Sequence, residues 1–254
     1  MNTPVIIAAR NEADSIGSTL DCLSRQSQDV NPIVVVNGST DKTADIASHA
    51  GAVVLESADG KMPAIQAGLR YLGKNALTPV LLLDADSRPF TRRWSGHMSD
   101  ELHGLPAHVP SMVWGPYVYK GDINKALGLF FTATTMGVSW ADRHKAKPRT
   151  IRGGNTGLYI KEEELLEELL SLENFWPRED AAVFDTMKSR GASHEVTFNV
   201  NGWVLTSGYR ISDTLKRAIR DRRHPSLIMD ASYEDEAPVG SKPYNSDTTA
   251  TARH

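Results

Sequence analysis

Four short apolar runs alternate with four helical patterns over residues 1–105, and this alternation sets the fold class. The runs "PVIIAA", "PIVVV", "AVVLE" and "PVLLLD" precede amphipathic segments at 14–26, 41–50, 61–73 and 91–103. The runs are too continuously apolar for strands that expose one side to water. Alternation of this kind predicts a parallel β-sheet with helices on both faces.

The second half of the chain is less regular. Strands are predicted near 111–119, 156–160, 195–200 and 203–206, and helices at 122–143, 161–171, 179–190 and 211–223. With 254 residues, of which 40% are hydrophobic, the chain can bury one sizeable core. We therefore expect residues 1–105 and 106–225 to be two halves of a single domain. The polar segment 226–254 is expected to be a flexible tail.

Composition excludes several classes of protein. A net charge of −3 argues against a generally basic nucleic-acid coat. The single cysteine, Cys22, excludes an intramolecular disulfide framework and a multi-thiolate zinc site. No window reaches the ~18 apolar residues of a membrane span, although 126–141 can be read as a core helix or as a membrane-surface helix. The amino terminus lacks a secretory pattern, so a cytoplasmic location is the default expectation.

Polar segments follow each of the four predicted strands. These are "ARNEAD" (9–14), "NGSTDKT" (37–43), "ADGKMPA" (58–64) and "DADS" (84–87). In an open parallel sheet, ligands bind at the carboxyl ends of the strands. The segments lack the spacing of a phosphate loop, and no G-x-G-x-x-G is present, which disfavours P-loop hydrolases and the common dinucleotide dehydrogenases.

Asp84 and Asp86 place two like charges at the tip of a buried strand. Two such carboxylates repel each other unless a cation or donor groups lie beside them. A divalent metal that holds a diphosphate supplies such a partner, so the pair is a candidate Mg²⁺ or Mn²⁺ site. A solvated turn is the alternative, because D-x-D is frequent by chance.

Six segments in a fixed order resemble inverting glycosyltransferases of family 2. They are "IIAARNEADSIGSTLDCLSRQ", "IVVVNGSTDKTADIA", "GKMPAIQAGL", "LLLDADS", "RGGNTGLYI" and "FWPREDAAVFDTMKSRG", and the resemblance covers roughly residues 4–210. It implies an α/β GT-A fold, which has a Rossmann-like, mostly parallel sheet with helices on both faces and a smaller mixed sheet on the acceptor side. Residues 1–105 would then bind the nucleotide-sugar donor, and 106–225 would bind the acceptor and carry the catalytic acid.

The resemblance also implies roles for individual residues. The walls of the nucleotide pocket would include Ala9, Arg10, Glu12, Asn37, Ser39 and Asp41, with Lys61 as a basic residue near the donor. Asp84, Ala85 and Asp86 match the metal and ribose motif, in which the second acid is usually the direct metal ligand. Gly153, Gly154 and Asn155 match a loop that approaches the donor sugar and the acceptor. His224 is the candidate third metal ligand, with His194 as the alternative.

Asp180 matches the catalytic base of the family. Displacing a nucleoside diphosphate from an anomeric carbon needs a metal on the leaving group and a carboxylate that takes the proton from the attacking hydroxyl. Asp180 lies near a predicted helix start, where the helix dipole favours an ionised acid. Glu179 would orient the acceptor or share the role, and Trp176 is a candidate sugar-stacking residue. Alternatively, both acids have only the structural role that is common for acidic residues at the amino terminus of a helix.

The expected donor is a UDP-sugar, but one difference from the family pattern leaves the identity of the nucleotide base open. Family members commonly carry two acids where this chain has Val36 and Asn37. An asparagine both donates and accepts hydrogen bonds, so it can read a base edge in more than one way.

The acceptor prediction rests on residues 208–224, in which six basic side chains outnumber two acidic ones. Helical spacing places Arg217, Arg220 and Arg223 on one face. The pattern suggests a track for a phosphate-bearing acceptor, with hydroxymethylated DNA as the first choice and an anionic lipid surface as the second. A solvated face or contact with the donor diphosphate would explain it as well. Other open alternatives are a lipid phosphate, a saccharide or a small phosphorylated acceptor, and an inactive nucleotide- or nucleic-acid-binding module.

Overall fold

The computed structural model describes residues 2–120, 132–133, 136–137, 140–141, 154–173, 175–176, 179–207 and 242–243, and only the backbone of residues 120, 175, 176, 242 and 243. The strands are β1 (Thr3–Ala9), β2 (Val30–Asn37), β3 (Val53–Ser57), β4 (Val80–Asp84), β5 (Arg88–Pro89), β6 (Ser111–Trp114), β7 (Tyr117–Lys120), β8 (Asn155–Tyr159), β9 (Phe175–Trp176), β10 (Ser193–Val196), β11 (Val204–Ser207) and β12 (Lys242–Pro243). The helices are α1 (Ile16–Ser24), α2 (Thr43–His49), α3 (Lys61–Leu72), α4 (Trp94–Gly104), α5 (Glu163–Ser171) and α6 (Glu179–Ser189), with short 3₁₀ turns at Gly73–Leu77 and Val200–Gly202.

A seven-stranded sheet with the order β10-β6-β8-β4-β1-β2-β3 forms the centre of the structure. Strands β1 to β4 run parallel, and β8 runs antiparallel to both of its neighbours, β4 and β6. A second sheet has the order β5-β11-β7, with one antiparallel and one parallel pairing. Strand β12 pairs with β9. These sheets confirm the predicted fold class, including the smaller mixed sheet.

Both faces of the large sheet are buried, because successive side chains of a strand point to opposite sides. On one face, Ile6 of β1 packs in a core with residues of α3, α5 and α6. On the other face, Ile7 packs with residues of α1, α2 and α4. This two-sided burial explains why the strands are apolar runs rather than alternating patterns.

Strand register brings chain segments from both halves to one edge of the sheet. The parallel strands β1, β2 and β4 end there at Ala9, Asn37 and Asp84. Strand β8 starts at the same edge, since Asn155 pairs with Leu83 at the end of β4. The loop before β8 therefore meets the loop after β4.

Two predicted strands differ from the structure. The strand expected at 111–119 is divided at Gly115 and Pro116 into β6 in the large sheet and β7 in the small one. A Cβ on Gly115 would lie 1.9 Å from the carbonyl oxygen of Gly202, so only glycine fits this crossing. The strand expected at 195–200 ends at Val196, and a 3₁₀ turn capped by Asn199 follows.

The predicted helix at 122–143 has helical backbone at the described residues 132–133, 136–137 and 140–141. The predicted helix at 211–223 lies outside the described residues. Among the helices of the described part of the chain, none has both the length and the apolar character needed to span a bilayer.

Candidate active site

The loop 84–87 is held by contacts from several elements. The Asp84 amide donates to the carbonyl of Gly154 at 3.1 Å, and the Ser87 amide donates to the carbonyl of Asp84 at 2.9 Å. The hydroxyl of Thr19, at the middle of α1, donates to the carbonyl of Ala85 at 2.7 Å. The acidic loop thus has a fixed backbone, and Ala85 itself points into the core rather than towards a ligand.

Both carboxylate oxygens of Asp84 accept a hydrogen bond from the protein. The Lys61 ammonium donates to Oδ1 at 2.8 Å, and the Tyr117 hydroxyl donates to Oδ2 at 3.0 Å. Lys61 begins α3 and Tyr117 begins β7, so this carboxylate joins the two sheets. The Lys61 ammonium balances the charge of Asp84, which weakens the attraction of this carboxylate for a second cation.

Gly154 lies against the Asp84 carboxylate. A Cβ at this position would stand 1.7 Å from Oδ2 and 1.9 Å from Cγ of Asp84. The glycine therefore permits a close approach of backbone to carboxylate that no other residue allows.

Asp86 is held from the small sheet. The Ser207 hydroxyl donates a hydrogen bond to Oδ2, and the Thr206 hydroxyl donates to Oδ1 at 3.4 Å. Both residues are at the end of β11. These two partners are neutral, so they orient the carboxylate and leave its charge unchanged.

The two acids at the start of α6 face the same cluster. Lys61 Nζ lies 3.9 Å from Asp180 Oδ1, so one ammonium contacts both Asp84 and Asp180. Burial opposes the charge of this ammonium, but the carboxylates of Asp180 and Asp84 outweigh it and raise the pKa of Lys61 above its usual range. Asp180 lies in the first turn of α6, at the positive end of the helix dipole.

Glu179 is in a different environment from its neighbour. It is only 4% exposed, and its Oε1 has no hydrogen-bond partner among the described residues. Burial, together with the charge of Asp180, raises the pKa of Glu179 to about 7. Near neutral pH this side chain is therefore divided between the acid and the carboxylate.

The loops after β1 and β2 are bonded to each other. The Asn11 amide donates to the Ser39 hydroxyl at 2.9 Å, and the Ala13 amide donates to Asp41 at 3.1 Å. Asn11 has a φ of 53°, a left-handed conformation that asparagine tolerates better than most residues. Ser39 and Asp41, expected to contact the donor, thus hold the walls of a candidate nucleotide pocket together.

The remaining predicted pocket residues lie around these loops. Arg10 forms an ion pair with Asp59 at 3.0 Å. Glu12 and Asn37 are buried, and Asn37 Oδ1 has no hydrogen-bond partner among the described residues. Ala9 is buried in the core on the α1 side, so only its backbone can reach the pocket.

Asn155 does not match its expected role. Its side chain is fully buried, accepts from Trp94 Nε1 at 2.9 Å and donates to the Gly202 carbonyl at 2.9 Å. These hydrogen bonds connect α4, β8 and the turn before β11. Because they occupy the side-chain amide, the amide points into the protein interior and not towards a donor. Its effect on the site is to hold the neighbouring Gly154 against Asp84.

His194, the alternative third metal ligand, is also placed differently. It stacks on Trp114 with ring centroids 5.5 Å apart and meets the edge of Phe184 at 5.4 Å. In the structure its ring thus packs against two aromatic side chains of the core.

Several predicted site residues lie outside the described part of the chain. These are Gly153, Arg217, Arg220, Arg223 and His224. Trp176 lies in β9, three residues before α6, and its side chain is not described. Across the described residues, no group of three or more histidine, cysteine and acidic side chains forms a metal cluster.

Oxygen ligands nevertheless fit a hard cation at this edge. Mg²⁺ and Mn²⁺ prefer oxygen, and Mg²⁺ is commonly held by one or two carboxylates plus substrate phosphates. Asp86, next to Asp84, supplies a carboxylate of that kind. The side chains of Thr206 and Ser207 that contact it also carry oxygen atoms. The residues therefore fit a divalent metal that a diphosphate would share.

Four residues that shape the site carry no signal in the sequence: Thr19, Tyr117, Thr206 and Ser207. Each contacts the acidic loop from at least 30 residues away in sequence. No motif marks them, because they belong to strands and a helix whose neighbours are set only by tertiary packing.

Comparisons with known proteins agree with the fold. A glucosyl-3-phosphoglycerate synthase from Mycobacterium tuberculosis, solved with Mn²⁺, UDP-glucose and phosphoglyceric acid, is similar with a TM-score of 0.51 and 20% identity over 77% of this chain and 69% of that one. The same enzyme solved with Mn²⁺, UDP and glucosyl-3-phosphoglycerate gives a TM-score of 0.50 and 20% identity over 77% and 70%. A mycobacterial protein is similar with a TM-score of 0.51 and 20% identity. The match covers 81% of this chain and 65% of that protein, so this chain spans slightly less than two thirds of its length.

At 20% identity these structures support the fold alone, which is the expected GT-A fold. No curated protein matches the sequence. The family model of glycosyl transferase family 2 matches residues 5–140. This match confirms the predicted family and the glycosyltransferase class. Because those 136 residues are more than half of the 254, the chain belongs to glycosyl transferase family 2.

Proposed function

We propose that the chain transfers a sugar from a nucleoside-diphosphate sugar, with UDP as the expected nucleotide, to an acceptor hydroxyl in one inverting displacement. The observation that carries the proposal is the contact of Lys61 with both Asp84 and Asp180. This ammonium joins the acidic loop, where a donor diphosphate would bind, to the acid that would act as base. Donor and acceptor would then meet across one charged cluster.

The proposed roles follow from the chemistry of each side chain. Asp180 takes the proton of the acceptor hydroxyl as its oxygen bonds to the anomeric carbon and the bond from that carbon to the diphosphate breaks. Lys61 keeps positive charge beside both carboxylates throughout. Asp86, with Asp84 beside it, would hold a divalent cation, and that cation would supply positive charge for the departing diphosphate. Gly154 and Asn155 keep the acidic loop in place.

The structural neighbours support the donor and the metal. Their crystal structures contain Mn²⁺ with UDP-glucose or UDP. UDP-glucose is therefore the first donor to test, and Mn²⁺ and Mg²⁺ are the first metals.

The acceptor is proposed to carry phosphate. The support is the excess of basic residues in 208–224, and a neighbour structure that contains phosphoglyceric acid. A small phosphorylated acid and hydroxymethylated DNA are two separate candidates for this acceptor, and transfer to DNA is the one expected to weaken steeply with salt.

Mass spectrometry on a panel of nucleotide sugars and acceptors tests the proposal. We expect nucleoside-diphosphate release that requires Mn²⁺ or Mg²⁺. Asp180→Asn should bind UDP as the wild type does, while transfer falls by ~10²-fold or more, as for the loss of a general base. Near-normal transfer by Asp180→Asn would contradict the assignment of the base.

A further inference from the structure

Two hydroxyl groups at the end of β11 converge on Asp86. The Ser207 hydroxyl donates to Oδ2 and the Thr206 hydroxyl donates to Oδ1, with Thr206 only 7% exposed. The two residues stand 120 and 121 positions from Asp86 in sequence. A contact over this separation depends on the whole small sheet being in place.

The backbone around Asp86 explains why its side chain needs such partners. Asp86 lies beyond the end of β4 and before β5, so strand pairing does not hold the residue itself. Strand β5 pairs with β11 in the register Leu205 to Arg88, and this places the end of β11 beside the acidic loop. The hydroxyls of β11 are therefore positioned to fix the Asp86 rotamer before any ligand arrives.

The two acids of the loop are held by different chemistry. Asp84 accepts from an ammonium, which competes with a metal for the same negative charge. The β11 hydroxyls are neutral, and a carboxylate has about four acceptor sites. A carboxylate can therefore keep both hydrogen bonds while another lone pair binds a cation.

We propose that Ser207, with Thr206 as the weaker partner, is a positioning residue that holds Asp86 in the orientation in which it binds the divalent cation. The inference rests on the proposed function, since it assumes a metal at Asp86. Groups that orient a metal-binding side chain through hydrogen bonds commonly change metal affinity by about 10–100-fold when they are removed.

Titration of the full-length protein with Mn²⁺, followed by the EPR signal of the free ion, tests this inference without measuring turnover. The titration is done with Mn²⁺ alone and then with UDP, against a blank of Mn²⁺ and UDP. We expect Ser207→Ala to weaken Mn²⁺ binding by about 10–100-fold. Thr206→Val should have a smaller effect, because its hydrogen bond is longer at 3.4 Å.

Two further variants serve as controls. Ser207→Thr keeps the hydroxyl and should retain most of the affinity, which a loss of packing would not restore. Ser193→Ala, in the edge strand β10, removes a strand hydroxyl far from the acidic loop and should bind Mn²⁺ as the wild type does. Circular dichroism of each variant establishes that it is folded. If Ser207→Ala does not fold, Thr206→Val and Ser207→Thr decide the result.

Unchanged or tighter Mn²⁺ binding by Ser207→Ala would overturn the inference. Asp86→Ala separates this failure from a failure of the proposed function. If Asp86→Ala loses Mn²⁺ and Ser207→Ala does not, only the positioning role is wrong. If Asp86→Ala binds Mn²⁺ as the wild type does, the metal site and the positioning role are both wrong.

Discussion

Gly154→Ala should inactivate the enzyme without unfolding it. The added Cβ would stand 1.7 Å from Asp84 Oδ2, whereas non-bonded contacts of a Cβ are rarely shorter than about 3 Å. The carboxylate would have to move by more than about 1 Å. Such a shift breaks the hydrogen bonds from Lys61 at 2.8 Å and Tyr117 at 3.0 Å. A misplacement of about 1 Å in a catalytic site can cost ~10²-fold in rate, so we expect kcat/KM to fall by about that factor.

The assay for this variant compares nucleoside-diphosphate release with thermal unfolding. The φ angle of Gly154 is not in the left-handed region, so alanine adds no backbone strain and the fold should persist. Gly104→Ala is the matched control, because a Cβ there meets nothing within 4 Å, and its activity should be unchanged. Activity of Gly154→Ala within about twofold of the wild type would refute the assigned contact between Gly154 and Asp84.

Three other perturbations test the metal site, the buried acid Glu179 and the basic segment 208–224. Asp86→Ala should abolish metal-dependent UDP binding, measured by calorimetry, and leave the circular dichroism spectrum unchanged; undiminished turnover in excess chelator would contradict a metal role. Because burial and Asp180 raise the pKa of Glu179 to about 7, folding favours its protonated form, and stability should fall as pH rises from 4.5 to 7. The loss in the free energy of unfolding should be at most about 3 kcal/mol, and Glu179→Gln, measured by urea unfolding, should not show it. Parallel pH profiles of wild type and variant would contradict the raised pKa of Glu179. Arg220→Glu combined with Arg223→Glu should reduce transfer to DNA far more than donor hydrolysis, and DNA transfer should weaken steeply with salt; if neither reaction changes, the DNA acceptor is wrong.

Much of the first half of the fold could be predicted because its signals are local. Continuous apolar runs such as 80–83 identify buried parallel strands, and the acids that follow must then lie at the carboxyl edge of the sheet. The start of α6 at Glu179 agrees with the helix predicted at 179–190.

The small sheet could not be predicted in this way. Strand β5 has two residues, Arg88–Pro89, and a two-residue strand shows no periodicity. The partner of Asp84, Tyr117, lies 33 residues away, and nothing in the sequence between them indicates the contact. A polar residue that follows two glycines predicts a ligand loop, whereas in the structure the Asn155 amide satisfies buried groups of the protein.

A crystal grown with Mn²⁺ and a UDP-sugar would show whether the acids of loop 84–87 bind the metal and the diphosphate. We expect anomalous density for Mn²⁺ within coordination distance of an Asp86 carboxylate oxygen. We also expect the diphosphate at the carboxyl edge of β4 and the anomeric carbon on the side of the site that faces Asp180. Nucleotide bound away from this edge, or Mn²⁺ held by residues other than the acids of the loop, would contradict the proposed function.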